Sequence, residues 1–274
     1  MKKSTSSEFI YQLFSLLISI IVIHAIYVTV IRPKAVEALN QQAIAQQSVN
    51  PPPAQRSIYV VLKDFEQETC FILMLWALLI MAYKARLTLV ERAMLLQSKL
   101  NIPPGVRILP DDAQDLCRPL QNLAPTQQDM FAPRTLLIAL QRFSATANVA
   151  AVATAVKNNC ESETDKLDSE LAMVRYIVWA IPSIGFIGTV RGIGDALGLA
   201  HEAVQGNIVG VTNSLGIAFN STFIALVISI FIMFFSHQLQ LMQERLVQNT
   251  QDYCDNNLLN HLLMPSTAKE VEHE

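Results

Sequence analysis

From Ala203 to Gln243 the chain carries no Asp, Glu, Lys or Arg. A run of that length has few homes outside a bilayer, where about 20 apolar residues suffice for one helical crossing. Two more uncharged runs, Phe9–Ile31 and Thr69–Tyr83, and a third that is apolar except at Arg175, Arg191 and Asp195, repeat the pattern. Only 16% of residues are charged and 51% are hydrophobic, whereas soluble domains carry about a quarter charged residues. The chain is therefore expected to be an all-α, multi-pass membrane protein with four transmembrane helices at 9–31, 69–84, 173–198 and 213–236. A net charge of −3 argues against nucleic acid, which calls for a basic face.

The flanks of these runs set the orientation. Met1-Lys2-Lys3 precedes the first run, which is too long for a signal peptide and lacks a small-residue cleavage site, so it reads as a retained anchor. Residues 84–175 carry eleven Lys and Arg against four between Arg32 and Lys63, with Lys84, Arg86 and Arg92 directly beside the second run. Positive charge stays inside, which places residues 1–8, the helical segment 85–172 and the helix and tail 237–274 in the cytoplasm. Residues 32–68 and the turn 199–212 then fall on the outer side of the membrane.

Local signals divide these segments. Arg32-Pro33 is expected to end the first helix, since Pro blocks its continuation. Pro51-Pro52-Pro53 reads as a stiff spacer. Thr69–Tyr83 is short for a crossing and should run past Glu68 and Lys84, which can snorkel. In the cytoplasmic segment a helix around Leu87–Leu95 stops at residues 101–105, Asp111–Leu123 is amphipathic, and one helix runs from Arg134 to about Asn159. The seam of Leu239, Met242 and Leu246 carries the fourth helix inward, and a polar tail follows from Pro265.

Few chemistries are available. The four cysteines, Cys70, Cys117, Cys160 and Cys254, have no CxxC spacing, so no metal site is expected and reduced thiols are the default. A phosphate-binding loop and a nucleophile motif are lacking, so neither a cofactor nor an enzyme activity is expected. His24 lies inside the first span and should face a neighbouring helix, with proton relay as the alternative. Arg191 and Asp195 sit at i,i+4 and are expected to pair with each other in a structural or subunit contact.

The third and fourth runs hold the most information. Pro182, Gly185, Thr189, Gly192 and Ala196 fall on one helix face, and Ala218, Thr222, Ala225, Ser229 and Ser236 on another. Small residues glue membrane helices, while a polar stripe can also line a path. With 1.5 Å per residue, Thr189 and Thr222 each lie about 14 Å below the ends of their spans. The two hydroxyls therefore meet at one level, a coincidence packing alone does not require.

Residues 180–193, Ala-Ile-Pro-Ser-Ile-Gly-Phe-Ile-Gly-Thr-Val-Arg-Gly-Ile, resemble the conserved membrane helix of the MotA/TolQ/ExbB proton-channel family. The P-x-x-G-x-x-G-T-V-x-G pattern of its TolQ and ExbB branches matches Pro182 to Gly192, and residues 215–226 resemble the helix that follows. Four spans rather than three are MotA-like, and Arg191 stands where the TolQ and ExbB branches are uncharged.

The resemblance implies a homopentameric ring around two copies of a single-span MotB/TolR/ExbD-like partner. A partner aspartate carries the ion, H⁺ or Na⁺, past the ring's hydroxyls, and ion-motive force drives mechanical work. Carried over, Thr189 and Thr222 line the ion path, while Pro182, Gly185, Gly192, Ala218, Ala225 and Ser229 face the partner. The third and fourth spans supply no carboxylate of their own except Asp195, which fits one supplied in trans. The alternative is a non-conducting scaffold whose small stripes only pack helices.

Overall fold

The computed structural model describes residues 2–46, 57–97 and 106–263. It is all-helical, and four of its helices are long and apolar enough to cross a membrane. The proline step at 51–53, the break at 101–105 and the tail from Pro265 lie outside the described residues. The chain divides into two compact units, residues 1–83 with 172–237 and residues 84–171 with 238–274.

The first unit contains α1 (Lys2–Ile26), α2 (Arg32–Gln46), the short α3 (Ile58–Leu62) and the first part of α4 (Phe65–Gln97). After the second unit's helices the chain returns to it through α9 (Ala172–Gly198), α10 (Ala200–Val204) and the first part of α11 (Val209–Asn257). α11 thus begins before Asn213, and the expected 199–212 turn is largely helical.

Pro33 does not end the first helix. A π-helical turn, Tyr27–Ile31, joins α1 directly to α2, and the Arg32 N–H reaches back to the Tyr27 carbonyl. A proline ring clashes with the carbonyl four residues earlier in a regular helix. The wider turn moves that carbonyl aside, so the helix passes through instead of stopping.

The first unit hides small and polar side chains and shows apolar ones. Ser19, Ala77, Ala218 and Ala225 are buried, whereas Trp179 is 77% exposed and Phe186, Phe219, Phe223 and Phe234 are also outward. Water would penalise such an exterior; lipid tails do not. α1 and α4 are joined by hydrogen bonds from Trp76 Nε1 to the Gln12 carbonyl (3.0 Å) and from Tyr11 to the Leu79 carbonyl (3.2 Å). Tyr11 also stacks on Tyr83 at 4.5 Å.

The second unit is built like a soluble domain. Its helices include α5 (Asp112–Gln121), α6 (Pro125–Gln128), α7 (Phe131–Thr146) and α8 (Val149–Glu170). Its apolar core takes Cys117 and Leu120 from α5, Leu136, Leu140 and Phe143 from α7, Val152, Val156 and Cys160 from α8, and Val247 and Cys254 from α11. All four cysteines are unpaired and buried.

The helix expected over Arg134–Asn159 is two helices. Ala147 adopts a left-handed conformation (φ 47°) that closes α7, and the Asn148 side chain accepts the Ala150 and Ala151 N–H groups to start α8. Asn at this position satisfies backbone donors that the new helix leaves open. Glu163 then ties α8 to α7, taking Arg134 at 2.6 Å and Lys166 at 2.9 Å. The Glu91 carboxylate accepts the Phe131 N–H at 2.9 Å at the start of α7.

Candidate functional site

α9 and α11 meet along a seam that their small residues permit. Val174, Ile177, Ile181, Gly185, Gly188, Gly192 and Ala196 form the buried face of α9, a spacing of three and four residues that keeps them on one side. A methyl group added at Gly192 would lie 2.8 Å from Ala218 Cβ, from the Ala218 N and from the Ser214 carbonyl oxygen. One added at Gly185 would strike Ala225 Cβ. The backbones approach as closely as glycine allows.

Most of the expected path residues lie in this seam. Gly185, Gly192, Ala218 and Ala225 are buried against one another, and Ser229 is 8% exposed. Within a single chain their surface is used on α9–α11 packing, which leaves Thr189 and Thr222, both half-buried, as the hydroxyls at the seam's open edge.

Pro182 sits inside α9, half-buried. Having no N–H, it leaves the carbonyl of Val178, four residues earlier, without its helical donor. Ser229 on α11 donates to that carbonyl at 3.2 Å. A backbone acceptor left open by a proline is thus satisfied by a hydroxyl from the neighbouring helix.

Thr189 and Thr222 touch hydroxyl to hydroxyl. Thr222 also reaches the Gly185 carbonyl at 3.0 Å, and Thr189 reaches the Ala218 carbonyl at 3.1 Å and the Gly185 carbonyl at 3.3 Å. Each hydroxyl has one proton to donate. For the two oxygens to share a proton, the chain runs either from Thr189 through Thr222 to the Gly185 carbonyl or from Thr222 through Thr189 to the Ala218 carbonyl. The pair therefore has two senses, related by a small rotation of two hydroxyls, and either leaves a lone pair for an incoming donor.

Arg191 does not pair with Asp195. Its guanidinium lies 3.1 Å from Glu66 Oε2 on α4, and Asp195 is exposed. The i,i+4 spacing put Asp195 within reach, yet a carboxylate that is 10% exposed on the neighbouring helix holds the charge instead. The contact is an ion pair without hydrogen-bond geometry, for no hydrogen bond reaches Glu66 Oε2.

Two further polar contacts escaped the sequence reading. Glu68 is held at 2.6 Å by both His24 Nδ1 on α1 and Arg32, so His24 does face a neighbouring helix. Gln67, fully buried, donates to the Val61 carbonyl at 3.1 Å and to Ser221 Oγ at 3.4 Å. By sequence, Glu66 and Gln67 belong to the external 32–68 segment and Glu68 to the charged edge of the second span. The signal available was three consecutive hydrogen-bonding residues beside a run that was short for a crossing.

Four candidate spans, an apolar exterior and a hydroxyl pair between two closely packed helices define a multi-pass membrane protein with a polar contact inside its helix unit. Residues 127–252, which include α9 and the hydroxyl pair, match the model of the MotA/TolQ/ExbB proton channel family. Over that stretch the chain is similar to the family. No curated protein matches it. α1 and α2 and all of α4 lie outside the matched residues.

Proposed function

We propose that the chain is the ring subunit of an ion-driven motor in the bacterial inner membrane. Five copies would surround two copies of a single-span MotB/TolR/ExbD-like partner, with both termini and the second unit in the cytoplasm. The partner supplies an aspartate that carries the ion, H⁺ or Na⁺, and ion-motive force becomes mechanical work across the envelope. The match of residues 127–252 to a proton channel family supports the conduction part of this reading. The observation that carries the site assignment is the Thr189–Thr222 contact.

In this mechanism the aspartate arrives beside the open edge of the seam. Protonated, it donates to the free lone pair of one hydroxyl; ionised, it accepts from one of them. For the ionised state one hydroxyl turns its proton from its carbonyl to the carboxylate, which moves no backbone. Electrostatic cost falls because the group is met by preset dipoles instead of hydrocarbon. Pro182 and Ser229 set the helix geometry on which the pair rests.

A scaffold reading draws on a different observation, the use of Gly185, Gly192, Ala218 and Ala225 on packing within one chain. Thr189→Val and Thr222→Val separate the two. Valine keeps the shape and removes the hydroxyl, so the motor reading expects normal assembly with ion-driven work abolished. Full work in both variants would remove the assigned path.

A further inference from the structure

His24 and Arg32 converge on one carboxylate. Glu68 Oε1 lies 2.6 Å from His24 Nδ1, and Glu68 Oε2 lies 2.6 Å from the Arg32 guanidinium. The Glu68 side chain is 7% exposed, whereas that of His24 is 58% exposed. All three residues belong to the first unit. Glu68 sits in the first turn of α4, so the cluster lies at the end of the α1–α4 pair and not midway along it.

The π turn permits this convergence. From position 24 to position 32, a regular helix at about 100° per residue would turn Arg32 about 80° away from His24. The extra residue that a π turn takes up cuts the difference to about 20°. Tyr27–Ile31 lies between the two side chains. The turn that carries the helix past Pro33 therefore also brings His24 and Arg32 to the side that faces Glu68.

Hydrogen bonding also sets the tautomer of the ring. An ionised carboxylate only accepts, so Nδ1 carries the hydrogen, and in the neutral imidazole Nε2 holds a lone pair. A proton can add at Nε2 with no bond broken. Before it arrives, one carboxylate balances one guanidinium; afterwards two cations share a single carboxylate. We propose that His24 is a proton-binding site, outside the residues that match the family, in which proton uptake loosens Arg32 from Glu68 and with it the hold of α2 on α4. Arg32 has a second resting place, since its guanidinium already lies 4.7 Å from the centre of the Phe65 ring and a cation is attracted to that face. The other titratable groups on the surrounding elements are Tyr27 on the π turn, Asp64, Glu66 and Cys70 around the start of α4, and Lys34 and Glu37 on α2. Imidazole is the one whose ordinary range falls between about pH 5 and 8. Burial pushes the Asp64 carboxyl up towards that range, and removal of the imidazole separates the two. That this end of α1 meets the incoming proton rests on the motor reading; the binding rests on the geometry alone.

Histidine ring signals of the full chain in lipid nanodiscs, followed by NMR between about pH 5 and 8, test the site. The His24 signal is the one missing from His24→Gln, whose amide can still donate to Glu68. By linkage, whatever the proton does to Arg32, loss of Arg32 does in reverse to the proton. Arg32→Gln should therefore bind the proton at His24 about tenfold more tightly, because a like charge on the same carboxylate is gone. Adding Glu68→Gln should cancel that gain. An unfolded chain would not feel Glu68, so misfolding cannot imitate the reversal. Amide hydrogen exchange along α2, corrected for its chemical rate, should rise about tenfold from about pH 8 to about pH 5 in the parent and stay level in His24→Gln. Both readouts need neither a partner nor ion flow, which separates failure of this site from failure of the motor reading. The proposal is overturned by an Arg32→Gln chain that takes up the proton no more readily than the parent. It is equally overturned by an α2 that exchanges alike across the range, or whose response survives in His24→Gln.

Discussion

Ser229 shows how one hydroxyl can be set by a residue 47 positions away in the chain. Pro182 frees the Val178 carbonyl, and Ser229 occupies it at 3.2 Å. Removing the hydroxyl alone leaves a carbonyl unmet in an apolar surround; removing the proline as well returns a backbone donor. Ser229→Ala should therefore cost about 1 kcal/mol, and close to nothing in a Pro182→Ala background, measured as a double-mutant cycle on unfolding in detergent. Equal costs in both backgrounds would show that Ser229 acts elsewhere. The same logic separates Thr189 from its neighbours, for Thr189 alone contacts two carbonyls and a second hydroxyl.

α9 and α11 were the most legible elements, because small residues three and four apart leave a periodicity that survives without any knowledge of neighbours. Their contact has a sharp consequence. Gly192→Ala places a methyl 2.8 Å from backbone atoms of α11, and should destabilise the unit by about 1–3 kcal/mol through forced separation. Gly194→Ala, two residues on, meets nothing within 4 Å and should be neutral or slightly stabilising. Thermal unfolding of the two variants reads the difference, and equal melting points would place the seam on another face. Other features were illegible for physical reasons. Pro33 signals a stop, and no local pattern announces the π turn that carries the helix past it. Ala147 gives no sign of its left-handed conformation. Arg191 was assigned to Asp195 because spacing along a helix is visible in sequence, whereas Glu66, on another helix, is not.

The molecule combines an apolar-faced unit holding the hydroxyl pair with a second unit built around an apolar core, and the family match spans parts of both. Its candidate site was largely readable from Thr189 and Thr222, since matched depth on consecutive spans is an arithmetic property of the sequence. The polar layer of Glu66, Gln67 and Glu68 was not, because its partners come from α1, α2, α3, α9 and α11. An aspartate supplied in trans would complete the hydroxyl site, so the central claim concerns an assembly. The direct measurement is the native mass of the detergent-extracted complex after co-expression with a candidate single-span partner of the proposed kind. Five copies with two copies of the partner is the expected result. A monomer or dimer that takes up no partner would contradict the account and leave the α9–α11 seam as packing alone.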